Sequence, residues 1–144
     1  YKPRDMSLDR RLGDFCRWMS RRKGKPGFIL PSMVERRGYG WARFIPHQKC
    51  STKAELSKYF RNLGRMLCVM WILGGTDLHF ENVIACGQRP AVVDTETLFQ
   101  PCPEALKRTA CRSISRSVFA TAMLPQFITV DGQPFNAGAC PTQH

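Results

Sequence analysis

The sequence predicts an α+β fold, and three observations carry that expectation. Two long stretches place apolar residues at the three- and four-residue spacing of amphipathic helices. Short strand-like runs of β-branched and aromatic residues lie between and after them, and glycine and proline clusters separate the elements. A chain of 144 residues with 43% hydrophobic and 23% charged content is enough for one modest domain with a core.

Ser7 is placed to cap a first helix, in which Leu8, Leu12, Phe15, Trp18 and Met19 recur at helical spacing and which should end near Lys23-Gly24. Pro26, Gly27 and Pro31 then make a loop. Gly38-Tyr39-Gly40 leads into a short strand over Trp41-Ala42-Arg43-Phe44-Ile45, stopped by Pro46. Thr52 and Glu55 form a capping-box pair that opens the strongest helix. Its apolar stripe is Leu56, Tyr59, Phe60, Leu63, Leu67, Met70 and Trp71, and Gly74-Gly75 closes it. A polar loop follows, then a strand over Val83-Ile84-Ala85-Cys86, a turn at Gly87-Gln88-Arg89-Pro90 and a second strand over Ala91-Val92-Val93. From Leu98 onward the pattern weakens, and only Val118 to Leu124 is apolar enough to pack.

The formal charge of +11 comes from clusters such as Arg21-Arg22-Lys23-Gly24-Lys25, Arg36-Arg37 and the series Lys107-Arg108, Arg112 and Arg116. Such a field attracts polyanions: nucleotide phosphates, nucleic acid or an acidic peptide. No helix-turn-helix, zinc-finger or aromatic RNA-binding signature accompanies the charge, so nucleic acid is not expected as a partner. Seven cysteines stand singly at 16, 50, 68, 86, 102, 111 and 140, without a disulfide framework or Cys-x-x-Cys pairs, which fits a reducing cytoplasm. His47 and Cys50 have ligand-like spacing but no second pair, so no zinc is assigned. The longest apolar run, Met66 to Leu73, is too short for a membrane span, and both ends of the chain read as cuts in a longer one.

Chemistry concentrates in Gly75-Thr76-Asp77-Leu78-His79-Phe80-Glu81-Asn82 and, across the expected hairpin, in Val93-Asp94-Thr95-Glu96. Phosphoryl transfer uses an aspartate to orient or deprotonate the accepting hydroxyl, and an asparagine and a second aspartate to hold magnesium against the triphosphate. Asp77, Asn82 and Asp94 could fill those roles. Taken singly, Asp77 could cap a turn, His79 could be a half-buried structural residue and Asp94 could simply follow a strand. Their joint order is far more specific, and it resembles the catalytic and metal loops of phosphoinositide lipid kinases. The corresponding expectation is an incomplete lipid-kinase-like core containing the lower part of an ATP site.

Flanking words narrow the resemblance. Tyr-Lys-Pro-Arg at 1 to 4, Tyr-Gly-Trp at 39 to 41, Gly-Gly-Thr-Asp-Leu-His-Phe-Glu-Asn at 74 to 82, Val-Asp-Thr-Glu-Thr-Leu-Phe at 93 to 99, Ser117-Val118, Thr121 and Met123-Leu124-Pro125 are together similar to class II lanthipeptide synthetases. The resemblance implies that residues 1–144 are a piece of a kinase-like dehydration domain. The parent would phosphorylate Ser or Thr of a precursor peptide (leader plus Ser/Thr/Cys-rich core) with ATP and Mg, then eliminate phosphate to leave dehydroalanine or dehydrobutyrine. A separate C-terminal zinc cyclase domain, which is not in these residues, would use the products.

By the same resemblance Asp77 is the catalytic base or hydroxyl-orienting residue, and His79 supports its loop. Asn82 and Asp94 are magnesium ligands, with Glu96 a further acid of the metal loop. Lys2 meets phosphate and serves elimination, and Arg4 is a phosphate contact. Ala42 and Arg43 depart from the family pattern, which leaves the adenine pocket unassigned. Two alternatives remain open at this point: a lipid-kinase-like kinase that stops at the phosphorylated product, and a non-catalytic basic module that binds an acidic peptide.

Overall fold

The structure, a computed structural model, describes residues 1–24, 26–99, 114 and 117–141. Lys25, Cys102, Cys111 and the basic residues Lys107, Arg108, Arg112 and Arg116 lie outside the described residues, as does the chain from Thr142. The chain forms two compact units, one of Tyr1–Met66 with Ile84–Glu96, the other of Leu67–Val83 with the described part of Thr97–His144.

In the first unit, helix α1 spans Ser7–Lys23. Its start corrects the expected cap: Met6 is the N-cap without a side-chain bond, Ser7 already lies in the helix, and Asp5 Oδ1 accepts the Ser7 N–H at 2.7 Å. A carboxylate two residues upstream therefore satisfies one of the free amides of the first turn. The buried stripe is also rotated from the expected one. Asp9, Leu12 and Cys16 are buried, while Trp18 is exposed with the Arg22 guanidinium 5.3 Å from its ring centroid.

Strands β1, Met33–Arg36, and β2, Tyr39–Ala42, form an antiparallel hairpin that turns at Gly38, whose φ of 81° suits glycine. The sequence reading misses β1 and places the second strand two residues late. Val34 opposite Trp41 and Arg36 opposite Tyr39 fix the register, and Phe44 lies beyond the strand, exposed. Lys2 extends this sheet: its N–H donates to Gly40 O at 2.9 Å, and Gly40 N–H donates back to Lys2 O at 3.0 Å. Tyr39-Gly40-Trp41 is thus the rail that holds the amino-terminal segment. Glycine is required in it, because a Cβ at Gly40 would meet Met6 Sδ and lie 2.6 Å from Val34 O.

Helix α2, Lys53–Ile72, opens as its capping residues predict. Thr52 Oγ1 accepts the Glu55 N–H at 3.2 Å, and the Glu55 carboxylate reaches back to Ser51 N–H at 2.7 Å, one residue earlier than in the usual box. Within the first unit its buried face is Tyr59, Asn62, Leu63 and Met66, whereas Leu56 is exposed. Each large apolar side chain buried here contributes about 1.5–3 kcal/mol relative to exposure. Asn62 Nδ2 donates to Gln88 O at 2.8 Å, and Gln88 Nε2 donates to Glu55 Oε1 at 3.2 Å. The helix thereby grips the turn of a third element, the hairpin of β3, Val83–Cys86, and β4, Arg89–Val92. The turn is shorter than expected, since Arg89 and Pro90 already belong to the strand. Pro90 O and Val92 N–H pair with Ile29, and Ala85 O and Gly87 N–H pair with Gln48, so each strand has a single-residue neighbour on its outer edge.

In the second unit the end of α2 closes at Gly74, with φ 65°. Met70, Leu78, Val83, Leu98, Thr121 and Met123 are buried. A 3-10 turn, Val118–Thr121, is capped by Ser117, whose hydroxyl accepts the Phe119 N–H. A hairpin of β5, Phe127–Val130, and β6, Gln133–Asn136, follows, which the sequence reading does not anticipate. Asp131 and Gly132 both take positive φ, 50° and 78°, the two-residue turn that Asp-Gly favours. Among the described residues no helix is long and apolar enough to cross a membrane.

The glycines give a stability test. Gly40→Ala should destabilise the protein by about 1–3 kcal/mol through overpacking against Met6 and Val34. Gly64→Ala, on a helical position where a Cβ meets nothing within 4 Å, should stabilise it by roughly 0.5–1 kcal/mol. Urea unfolding of the two variants beside wild type measures both, and equal midpoints would refute the packing described for Gly40.

Candidate active site

The residues expected to carry chemistry fall into two groups, one in each unit. In the first unit, the stretch after β4 carries Asp94, Thr95 and Glu96 to the segment Lys2-Pro3-Arg4, which the Gly40 rail holds. Lys2 Nζ donates to Asp94 Oδ2 at 2.8 Å, and Arg4 Nη2 donates to Asp94 Oδ1 at 2.6 Å. Arg4 Nη1 donates to Asp9 Oδ2 at 2.7 Å, and its Nε lies 3.1 Å from Glu96 Oε2, close but not aligned as a hydrogen bond. Thr95 Oγ1 donates to Asp9 Oδ1 at 2.8 Å. Asp9 was not expected at the site, and Thr95, within the expected acidic stretch, was given no role there: the sequence reading follows only the apolar positions of α1, and Asp9 sits in the gap between Leu8 and Leu12.

The electrostatics favour the ionised forms of Asp94 and Arg4. Burial alone would raise the Asp94 carboxyl, but the Lys2 hydrogen bond and the charges of Arg4 and Lys2 outweigh it and hold Asp94 below the ordinary carboxyl value of 3.8. The hydrogen bond to Asp9, with the charges of Asp9 and Asp94, overcomes burial to hold Arg4 even more firmly protonated than usual. Three carboxylates face two cations, so the cluster has one negative charge in excess.

In the second unit, Asp77, His79 and Asn82 share one tight loop. Asn82 Nδ2 donates to Asp77 O at 2.8 Å, closing the loop on itself. His79 Nδ1 accepts the Glu81 N–H at 3.2 Å, which puts the ring proton on Nε2, 3.4 Å from Asp77 Oδ1. His79 Nε2 thus lies 3.4 Å from both the Asp77 carboxylate and Asn82 Nδ2. The Asp77 side chain is 56% exposed, so its carboxylate is open to an incoming group. Its φ of 57° lies in the left-handed region, which aspartate tolerates better than most residues.

Neighbouring segments fix this loop from outside. Leu78, between the two polar residues, is fully buried and donates its N–H to Thr121 O at 2.9 Å. Phe80 N–H donates to Ala137 O at 3.2 Å, and Phe80 packs edge-on against Phe135 at 5.1 Å. Thr97 Oγ1 donates to Thr76 O just before the loop. The fully buried Thr121 is the threonine of the Ser-Val and Met-Leu-Pro words. Its hydroxyl donates to Val118 O at 2.7 Å and accepts the Met123 N–H at 3.2 Å, so it serves as a structural anchor for the loop.

Among the described residues, no three His, Cys, Asp or Glu side chains gather as a metal cage. In the first unit the donors at hand are oxygens, the carboxylates of Asp94 and Glu96. Hard oxygen donors in small number suit magnesium, which is commonly held by one or two carboxylates, water and substrate phosphates. Asp94 Oδ1 and Oδ2 each keep a second lone-pair direction beyond the Arg4 and Lys2 bonds. The donor set and the negative excess around Asp94 therefore fit such an ion.

Residues 1–141 match a family described as a domain of unknown function, DUF4135, and the chain belongs to that family. It is also 33% identical, over 140 residues, to the lacticin 481/lactococcin biosynthesis protein LcnDR2 of Lactococcus lactis subsp. lactis. That match covers 87% of this chain and 15% of LcnDR2, so the chain spans a small part of the relative. Together these matches bear out the resemblance to class II lanthipeptide synthetases that the sequence words carry.

The depressed Asp94 carboxyl has a consequence for stability. A carboxyl that titrates lower in the folded than in the unfolded protein stabilises the fold fully above the unfolded value and loses that contribution as pH falls through the folded value. The stability gap between wild type and Asp94→Asn, from urea melts, should be constant at neutral pH and shrink only below about pH 3.8. A gap independent of pH would mean that the Lys2 and Arg4 contacts do not act on the charge of Asp94.

Proposed function

We propose that this chain is part of an enzyme of lantibiotic biosynthesis that dehydrates Ser and Thr residues of a precursor peptide at the expense of ATP, on a lipid-kinase-like core. The observation that carries the reading is the Asp94 carboxylate, ionised and held between Lys2 and Arg4 in a cluster of three carboxylates and two cations. The similarity to a lacticin 481/lactococcin biosynthesis protein supports the substrate class.

In this reading Asp77 accepts or orients the proton of the substrate hydroxyl, and His79, beside its carboxylate, supports the loop. Asp94 and Glu96 would hold magnesium, which when bound supplies positive charge against the phosphates of ATP. The oxygen of the substrate hydroxyl forms a bond to the terminal phosphorus while the bond from that phosphorus to ADP breaks. Elimination then passes the Cα proton of the phosphorylated residue to water acting as base, the electron pair of the C–H bond forms the Cα–Cβ double bond, and the Cβ–O bond breaks with its electron pair leaving on the phosphate. Lys2 and Arg4 offer cations to the phosphoryl oxygens. Both are drawn onto acids in the free protein, Lys2 by Asp94 and Arg4 by Asp9, Asp94 and Glu96, so an arriving phosphate has to compete for them.

Two variants of the full-length protein, incubated with ATP, magnesium and precursor peptide and followed by mass spectrometry, test the reading. Asp94→Asn should leave the peptide unmodified, with neither phosphate gain nor water loss; dehydration at the wild-type rate would overturn the assignment. Lys2→Ala should slow elimination by roughly a hundredfold, the typical cost of losing one group that stabilises a developing anion. It should slow phosphorylation less, so that phosphopeptide accumulates. Equal slowing of both steps without phosphopeptide would remove Lys2 from elimination, and a wild-type protein that yields only phosphopeptide would mark a kinase that does not dehydrate.

A further inference from the structure

Among the described residues Asp9 is the one charged side chain that is buried, 7% exposed. An ionised carboxylate is costly to bury unless it is paired and hydrogen-bonded. Asp9 meets that requirement with three contacts: Arg4 Nη1 to Oδ2 at 2.7 Å, Arg4 Nη2 to Oδ1 at 3.3 Å and Thr95 Oγ1 to Oδ1 at 2.8 Å. The first two make a two-pronged grip on the guanidinium. Arg4 Nη2 also donates to Asp94 Oδ1 at 2.6 Å, so one guanidinium is shared between a buried acid on α1 and the acid that follows β4.

The sharing decides the sign of the charge around Asp94. With Lys2 and Arg4 both on Asp94 and only the exposed Glu96 beside them, two cations would face two acids, and the Asp94 carboxylate would be the principal counter-ion of both. Asp9 changes this by taking Arg4 from its far side, which leaves the group one negative charge in excess. Thr95, adjacent to Asp94 in the chain, ties the acid on α1 to the segment that it influences.

We propose that Asp9 is a positioning residue for divalent-cation binding at Asp94. It fixes and neutralises Arg4 so that the Asp94 carboxylate stays available to the metal, and Thr95 holds Asp9 in place. This inference rests on the reading of Asp94 as a magnesium ligand given above.

The test uses the full-length protein with Mn2+ alone as a spectroscopic probe, without nucleotide so that contacts of Arg4 with phosphate play no part, reading free Mn2+ by electron paramagnetic resonance. Asp9→Asn should weaken Mn2+ binding on the order of tenfold, the effect of one lost charge at a partly screened site. Adding Arg4→Gln to Asp9→Asn removes the cation that Asp9 opposes and should restore affinity to within about threefold of wild type, as expected for coupled charges. A merely structural role for Asp9 would not give that rescue. Thr95→Val, which removes only the hydroxyl donor, should weaken binding by a smaller factor, and it carries the test if Asp9→Asn does not fold. Asp94→Asn is the control. Loss of Mn2+ binding in Asp94→Asn with wild-type affinity in Asp9→Asn, or in Thr95→Val as its substitute, overturns the role of Asp9. Failure of Arg4→Gln to restore binding in a folded double variant overturns it as well. Wild-type affinity in Asp94→Asn itself overturns the underlying metal reading instead.

Discussion

The arrangement of the first unit depends on how a half-buried guanidinium is satisfied. Arg4 has little water around it and must find acids, and it takes them from Asp9 on α1 and from Asp94 and Glu96 after β4. Segments far apart in sequence are thereby bound to one planar group, whose fixed fork dictates where their carboxylates lie. The amino-terminal segment can present Arg4 there because Lys2 is bonded through its backbone to Gly40, leaving both cationic side chains directed at Asp94. Removing any one acid from such a group leaves the cation under-compensated, so the network behaves as a unit and not as a sum of pairs.

The second unit uses a different constraint. Its acid, Asp77, is exposed, and what is buried is the apolar residue next to it: Leu78 is sealed into the interior and its amide is tied to Thr121. Burying Leu78 forces the flanking side chains outward, while Asn82 and His79 close the loop around the Asp77 backbone and carboxylate. An exposed carboxylate is made rigid by a buried neighbour. This explains why Thr121 and the stretch up to Gly138 accompany the acidic loop although none of their side chains needs to touch substrate. A Cβ at Gly138 would collide with Leu124 O, so the chain can pass close to the loop there only as glycine.

Much of this was legible in the sequence because it follows from periodicity and from words. The apolar spacing of α2, the Thr52 and Glu55 cap and the Val83–Cys86 strand are local signals, and each reappears within one or two residues of its expected place. The grouping of Lys2, Arg4, Asp94 and Glu96 was legible only through resemblance, since nothing local relates residues some ninety positions apart. Asp9 was not legible at all. A polar residue on an amphipathic helix reads as surface, and only the arrival of Arg4 from outside the helix makes it a buried partner. The β5–β6 hairpin did carry a signal in Asp131-Gly132, but its strands are exposed on both faces, so the alternation that marks a half-buried strand is missing.

The left-handed backbone of Asp77 bears on how this site would decay. If selection on the chemistry lapsed while the fold was still needed, Asn and Gly would be the substitutions most easily tolerated, since they keep that conformation at least cost. Glutamate, although it keeps the charge, would bring both a longer side chain and a less tolerant backbone. A relic of this domain should therefore be betrayed by an amide or a bare glycine at this position, and the aspartate found here is the residue that serves both the turn and an acid.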